Sequence, residues 1–182
     1  MERPDARKRY TQMVLKQSFL TLLKEKPVNK ITVKEVCALA QLNRATFYAH
    51  YSDCFALMEC IENELLAAFE KSLRYVNSFD VTALIEAIYD MVEQNREACR
   101  VLILGNAGST ILMKMIAVAK ENSLAYWRQE LPKASETELQ MMYTHLSNGL
   151  MHVVAEGYDK YSKEETIHFV TQVVKVSLSL FR

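Results

Sequence analysis

The stretch that decides the fold is residues 32–57, which read TVKEVCALAQLNRATFYAHYSDCFAL. It begins with a capping box, in which the Thr32 hydroxyl and the Glu35 carboxylate each bind a free backbone N–H at the start of a helix. Apolar residues then recur on one face at helical spacing. These features predict a short helix from Thr32 to about Ala40.

A second helix is predicted after the turn at residues 41–43, because Asn43 is a favourable N-cap residue. Phe47 and Tyr51 are four residues apart and can both face inward, which leaves Arg44 and Tyr48 on the outer edge. A short helix, a tight turn and a helix with an outward basic edge form the helix-turn-helix pattern, whose second helix enters the major groove of DNA. DNA binding is therefore the leading functional prediction.

The rest of the chain also has helical patterns. Before the quoted stretch, an apolar stripe from Leu15 to Leu23 predicts a supporting helix over about residues 6–24, so the head has three helices. With only four Gly and three Pro, the composition favours helices over strands. We predict an all-α fold of about nine helices, with a helix-turn-helix domain at residues 1–53 and a dimerisation and regulatory domain at residues 54–182.

Six helices are predicted after the head. Ser52 or Asp53 caps the fourth helix, and two further capping boxes, S-E-T-E at residues 135–138 and S-K-E-E at residues 162–165, begin the eighth and ninth helices. The other expected boundaries are a fifth helix from Asp80 or Thr82 to about Gln94, a sixth from Asn95 to Leu104, a break from Gly105 to Gly108, and a seventh helix from about Ser109 to Leu131, before Pro132.

Charge is distributed unevenly along the chain. The formal net charge is zero, but residues 1–52 hold ten Lys or Arg and four Asp or Glu, a net charge of +6 that the remainder cancels. A basic head suits a polyanion such as duplex DNA, whereas an acidic remainder repels it. An ordinary solvated helix face would carry similar charges, so the charge alone leaves both interpretations open.

Several functional classes are disfavoured. The four Cys form no C-x-x-C pair, the N-terminus is charged, and no uncharged apolar run approaches membrane-spanning length, so we expect a cytoplasmic protein without membrane contact. No H-E-x-x-H, P-loop, G-x-S-x-G or Gly-rich dinucleotide motif occurs, so we expect neither an enzyme nor a cofactor. His145 and His152 are too far apart to hold one metal without a third group, so no metal site is expected.

Residues 32–57 resemble the head of the TetR family of transcription regulators in order and spacing, above all in T-F-Y-A-H-Y at residues 46–51. The segment 95–104 and the Gly149-Leu150 pair resemble a branch of that family with an N-R-E-x-x-x-x-L-L element. Two positions depart from the pattern. Gln41 replaces the usual turn Gly, so the turn must avoid positive φ or accept strain. Cys54 replaces a Lys that commonly contacts phosphate, which we expect to weaken sequence-independent affinity.

The resemblance, combined with side-chain chemistry, assigns roles in DNA binding. Thr32 and the helix N-terminus behind it suit a phosphate oxygen. Tyr48 and His50 match family positions that touch the DNA backbone, and Arg44 is expected to bond guanine in the major groove. The full predicted set is Thr32, Val33, Lys34, Asn43, Arg44, Ala45, Thr46, Tyr48, His50 and Tyr51.

The resemblance also implies a homodimer and a small-molecule effector. Apolar stripes on the eighth and ninth helices suggest the interface, although part of each stripe must be internal core. The predicted interface residues are Leu146, Gly149, Leu150, Val153, Val170, Val174, Ser177 and Leu178. The predicted pocket residues are Met91, Trp127, Met142, Tyr143, His145 and His152. Each is of a type that lies more commonly in a core or on a surface than against a ligand.

These features predict a TetR-like transcription regulator that binds a near-palindromic DNA operator as a dimer, most simply a repressor released by a small molecule. The alternative is a helical co-regulator that acts through protein partners without binding an operator itself. The departures at Gln41 and Cys54 keep this alternative open.

Overall fold

The structure is a computed structural model that describes residues 3–74, 81–103, 105, 110–158 and 160–181. Within these ranges the chain forms nine α-helices and no strand, which confirms the predicted all-α class. The helices are α1 (Arg3–Leu23), α2 (Val33–Ala40), α3 (Arg44–Tyr48), α4 (Cys54–Ser72), α5 (Val81–Gln94), α6 (Arg96–Leu102), α7 (Ile111–Glu130), α8 (Glu136–Gly157) and α9 (Lys163–Ser179). A 3₁₀ turn at Val28–Lys30, which the sequence pattern did not predict, lies between α1 and α2.

Local capping chemistry sets most of the helix starts. All three predicted capping boxes form, at the N-termini of α2, α8 and α9, with both the hydroxyl and the carboxylate bonds present. Of the two candidates for capping α4, Asp53 is the residue that does so, since its Oδ1 accepts the Ala56 N–H at 2.8 Å. A short local signal therefore positions each of these helices.

Helices α3 and α6 end before their predicted last residues. Helix α3 ends at Tyr48 instead of continuing to Tyr51, because the N–H groups of His50 and Tyr51 both bond the Phe47 carbonyl and close a turn. Helix α6 ends at Leu102. The predicted boundary residues Asp80, Leu104 and Ser109, and the predicted break after Gly105, lie outside the described residues.

One compact unit comprises Met1–Leu65 together with Glu97–Ser109. Its core is built from fully buried side chains on four helices: Leu15 and Phe19 on α1, Val36 on α2, Phe47 on α3 and Leu57 on α4. By this division the unit includes the first part of α4 up to Leu65, where Leu57, Ile61 and Leu65 are buried, whereas the division at residue 53 stays a prediction. We call this unit the head.

The second compact unit comprises Leu66–Arg96 and Thr110–Arg182. Helix α8 packs against α7 and α9, and α5 packs against α9. The Tyr143 hydroxyl fixes α8 to α7 by donating to the Ile116 carbonyl oxygen at 2.5 Å. Among the helices that the structure describes, none is long and apolar enough to span a membrane.

The turn between α2 and α3 carries the one residue other than Gly with positive φ in the described part of the chain. Gln41 has φ 55° and ψ 39°, in the left-handed region. Its N–H bonds the Ala38 carbonyl, and the Leu42 N–H bonds the Cys37 carbonyl at 2.9 Å, which is the Schellman arrangement that ends a helix. Without a Gly, the turn could either avoid positive φ or accept strain, and at Gln41 it adopts positive φ and accepts the strain.

We expect Gln41→Gly to stabilise the protein by about 0.5–1 kcal/mol, because Gly adopts positive φ without the Cβ clash and the exposed Gln side chain contributes little packing. Chemical denaturation of the full chain measures the change. The matched variant Gln41→Ala retains the Cβ and should show no such gain. Equal stability of the Gly and Ala variants would mean that the turn stores no strain.

Candidate nucleic-acid interface and ligand pocket

Helix α3 has only five residues, but it has one buried face and one exposed face. Phe47 is fully buried in the head, whereas Tyr48 next to it is 57% exposed, and their rings meet edge-on with centroids 5.7 Å apart. Arg44 and Ala45 are exposed on the same outer edge as Tyr48. The helix therefore presents a basic and aromatic edge from a rigid base.

The head places most of the predicted DNA-contacting residues at its surface. Thr32, Lys34, Asn43, Arg44, Ala45 and Tyr48 are exposed, and Val33, Thr46 and His50 are half-buried. Tyr51 needs a correction, because its side chain is buried and packs against Phe47 with ring centroids 5.9 Å apart. Tyr51 supports α3 from beneath and does not belong to the exposed edge.

Asn43 holds the start of α3. Its Oδ1 accepts the Thr46 N–H at 2.7 Å and the Thr46 hydroxyl at 2.9 Å. The Thr46 hydroxyl hydrogen is thus used inside the head, while the Thr46 methyl group is not committed to any hydrogen bond. The imidazole of His50 has a buried Nδ1 without a partner among the described residues.

At the N-terminus of α2, the Glu35 carboxylate binds back to Thr32, the residue that caps the helix. The Thr32 hydroxyl and the Thr32 N–H both bond Glu35 Oε2, at 2.8 and 2.9 Å. These two groups are therefore already occupied, and the N–H groups of Val33 and Lys34 are the backbone donors left at the first turn. A phosphate at this helix end would therefore be bound by the N–H groups of Val33 and Lys34 and not by the Thr32 hydroxyl.

Three lysines of the head are neutralised by ion pairs, from Lys16 to Glu64, from Lys24 to Glu97 and from Lys26 to Glu35. In contrast, Lys34 and Arg44 are exposed and pair with no acidic side chain that the structure describes. These two cations lie in the first turns of α2 and α3 and remain available to an anionic partner.

The pKa of Glu35 is lowered to about 2, because Lys26 and Thr32 bond its carboxylate. A carboxylate whose pKa is lowered on folding stabilises the folded state above its ordinary value of 4.5, and that stabilisation is lost as the pH falls towards 2. We therefore expect Glu35→Gln to lower the unfolding temperature at neutral pH and the difference from wild type to shrink below pH 4.5 and vanish near pH 2. Thermal unfolding by circular dichroism across this range measures it. A difference that stays constant down to pH 2 would contradict the assignment.

Cys54 lies at the position where the sequence pattern led us to expect a missing phosphate contact. Its thiol is buried at the start of α4, and burial raises its pKa to about 11, so it is uncharged at neutral pH. This side chain supplies no charge for a phosphate, and it packs into the head instead.

The second unit contains an apolar pocket of about 120 Å³. It is lined by side chains from the end of α4 and from α5, α7, α8 and α9, and two of the predicted pocket residues, Trp127 and Tyr143, form one wall with ring centroids 6.0 Å apart. The other predicted pocket residues lie elsewhere: Met91 and Met142 are buried away from this pocket, and His145 and His152 are exposed.

Sequence reasoning missed most of the pocket wall. The residues it did not single out include Phe69, Ile88, Ser123, Ser147 and Met151. Apolar residues on five helices look like ordinary core in the sequence, and only the unfilled space between the helices distinguishes them. Among the residues that the structure describes, no cluster of three or more His, Cys, Asp or Glu could hold a metal ion.

The predicted dimer residues fall into two groups. Leu146, Val170, Val174 and Leu178 are buried within the single chain. Leu150, Val153 and Ser177 are half-buried, and Gly149 is exposed, with open space around the position of a Cβ. The outward face of α9 instead presents exposed apolar side chains at Phe169 and Val176, followed by Leu180.

No protein-family model matches the chain. Among curated proteins, an HTH-type transcriptional regulator of Bacillus subtilis, YxbF, is 30% identical over 59 residues. This match covers 32% of the chain but only 16% of that protein, so it reaches a segment and not the whole of either.

Solved structures match almost the entire chain. A TetR transcriptional regulator from Streptococcus agalactiae is 20% identical with a TM-score of 0.66, covering 93% of this chain and 96% of its own. A regulator of the TetR/AcrR family from Aquifex aeolicus is 14% identical with a TM-score of 0.64, covering 91% and 98%. The dihydroxyacetone kinase operon activator DhaS is 15% identical with a TM-score of 0.57, covering 94% and 98%. The chain has the fold of TetR-family regulators.

Proposed function

We propose that the chain is a TetR-type transcription regulator, without enzymatic activity, whose head binds duplex DNA through the outer edge of α3. The observation that carries this proposal is the exposure of Arg44, Ala45 and Tyr48 on a helix anchored by the fully buried Phe47. An anchored helix with a basic outer edge has the size and chemistry to enter a major groove. The curated match to an HTH-type regulator supports it.

In this proposal Arg44 reads a base and its neighbours position the helix. A guanidinium can donate to both major-groove acceptors of guanine at once, and Ala45 and the Thr46 methyl suit the methyl group of thymine. Tyr48, Lys34 and the backbone donors at the α2 N-terminus would bond phosphates. The cation missing at Cys54 lowers the number of phosphate contacts and therefore the salt dependence of binding.

We propose that the regulator is a homodimer that binds a near-palindromic operator, since one short recognition helix contacts too few base pairs for useful specificity. The apolar face formed by Phe169 and Val176 on α9 and by Leu180 directly after it, together with Gly149 on α8, is the surface that a second copy would cover. Open space beside Gly149 would allow two helices to approach closely.

The pocket in the second unit would be the effector site. It reaches Phe69 on α4, and α4 is one continuous helix whose first half belongs to the head. A ligand that prefers one position of Phe69 would shift the population of α4 conformations and hence the affinity for DNA. Release of a repressor by its ligand is the form of regulation that we propose.

The experiment that tests the proposal is selection of genomic fragments by the purified full chain, followed by titration of a recovered fragment at several salt concentrations. We expect recovered sites with two-fold symmetry, and affinity that falls steeply as salt rises, because phosphate contacts release counterions. Failure to select any shared sequence, with binding no tighter than to random duplex, would overturn it.

A co-regulator that acts through a protein partner is the second candidate. The absence of a cation at Cys54 and the strained turn at Gln41 favour it, because both depart from the pattern of DNA-binding heads. The same selection separates the two, since a co-regulator would retain the folded head yet recover no site by itself.

A further inference from the structure

The wall of the pocket in the second unit carries no charge. Of the described residues that line it, all are apolar or aromatic except Ser123 and Ser147. Burial raises the pKa of Tyr143 to about 12, with the adjacent Ser147 hydroxyl only partly offsetting the shift, so this phenol also stays neutral. A charged ligand group inside the pocket would lose its hydration without gaining a counter-ion, which costs several kcal/mol.

One fully buried polar atom among the described wall residues lacks a hydrogen-bond partner. The Ser147 oxygen is buried and makes no hydrogen bond with the described residues. The Tyr143 hydroxyl lies beside it and donates its own hydrogen to the Ile116 carbonyl on α7, and the Ser147 and Tyr143 oxygens do not reach hydrogen-bond geometry with each other. Buried hydroxyls are normally hydrogen-bonded, so an unpaired one beside an open pocket marks a place for a ligand group. With no partner to hold it, the Ser147 side chain can turn about its Cα–Cβ bond towards that group.

The shape and composition of the wall define the rest of the ligand. The pocket volume of about 120 Å³ is similar to that of an engineered cavity of about 150 Å³ that binds benzene, and Trp127 and Tyr143 offer aromatic surfaces beside Ser147. Aromatic rings pack well against such surfaces in tilted or offset arrangements. The wall therefore suits a small molecule with an apolar, preferably aromatic, body.

We propose that the effector of this protein is an uncharged, largely apolar molecule that carries one hydroxyl or carbonyl group, which Ser147 binds. This inference rests on the proposed function, because it names the ligand class of the same pocket. A hydrogen bond to Ser147 should give a ligand with the polar group a higher affinity than an otherwise identical hydrocarbon. The absence of charge in the described wall distinguishes neutral ligands from acids and amines.

The test compares three probes of similar shape: 4-butylphenol, butylbenzene and 4-butylbenzoate, at neutral pH. Trp127 is the only Trp of the chain and lies in the pocket wall, so its fluorescence reports binding directly. We expect 4-butylphenol to bind saturably and 4-butylbenzoate to bind at least roughly tenfold more weakly. Ser147→Ala should weaken 4-butylphenol by roughly three- to tenfold, the equivalent of one hydrogen bond, and leave butylbenzene unchanged.

Two variants complete the experiment. Ser147→Thr retains a hydroxyl and should restore much of the affinity for 4-butylphenol, while Ser179→Ala removes an exposed hydroxyl outside the pocket and should change nothing. Circular dichroism confirms that each variant is folded. Equal binding of the phenol and the benzoate, equal losses of phenol and butylbenzene in Ser147→Ala, or no binding of any probe would each overturn the inference.

The outcome of the probe-binding experiment can be separated from the outcome of the DNA selection. If the chain selects operator sites but the three probes show no such preference, the ligand class is wrong and the proposed regulator stands. If the probes behave as expected and no DNA site is selected, the pocket assignment stands and the DNA-binding proposal fails.

Discussion

Phe47→Ala is expected to destabilise the protein by about 3–5 kcal/mol and to abolish binding to a selected DNA site, because it removes the fully buried ring that anchors α3. Such a loss is a large part of the stability of a typical domain. Helix α3 has only five residues and cannot hold its conformation without tertiary packing. Denaturant unfolding of the full chain and a binding titration measure the two effects.

Tyr48→Ala is the matched control, because it removes an aromatic ring from the neighbouring position, where the side chain is mostly exposed. Its cost in stability should stay below about 1 kcal/mol, while affinity for DNA falls measurably. Equal destabilisation by the two variants would show that Tyr48, too, packs into the head and that the outer edge of α3 is not free.

Arg44→Ala is expected to weaken binding to the selected site by about 1–3 kcal/mol, which is roughly a 5- to 150-fold loss of affinity, and to relax the base preference at one position in each half-site. The guanidinium is exposed, so the stability of the protein should hardly change. Titration against the selected site and against variants with one base pair replaced measures both effects.

Lys34→Ala is the control for charge alone. Lys34 is exposed near the N-terminus of α2, where a phosphate is expected, so its loss should weaken all duplexes alike and reduce the salt dependence. If Arg44→Ala behaves in the same way as Lys34→Ala, with no change in base preference, Arg44 contributes charge and does not read sequence.

The parts of the fold that could be predicted from the sequence depend on local signals. The T-V-K-E, S-E-T-E and S-K-E-E boxes each use groups three residues apart, so they begin helices regardless of what packs against them. The inward position of Phe47 follows in the same way from helical spacing. The end of α3 was harder to predict from the sequence. The N–H groups of the residues after Tyr48 could be bonded either in a longer helix or in the turn at Phe47 that they adopt.

The parts that could not be predicted depend on packing between distant segments. Leu146 and Val174 were expected at a dimer surface, and the structure places them in the wall of the pocket, because an apolar stripe does not reveal whether its neighbour belongs to the same chain. Tyr51 was assigned to the DNA surface through its motif, although its spacing from Phe47 already allowed an inward position. Ser147 had no sequence signal, since its importance comes from an unpaired oxygen beside empty space.

The most direct test of the central claim is methylation protection of a selected DNA site, comparing the wild-type chain with Arg44→Ala. Methylation at guanine N7 reports contacts in the major groove, where α3 is proposed to lie. We expect two groups of protected guanines about one helical turn or a multiple apart, with one guanine in each group losing protection in Arg44→Ala. Unprotected guanine N7 positions at a site that the wild-type chain binds tightly would contradict the insertion of α3 into the major groove.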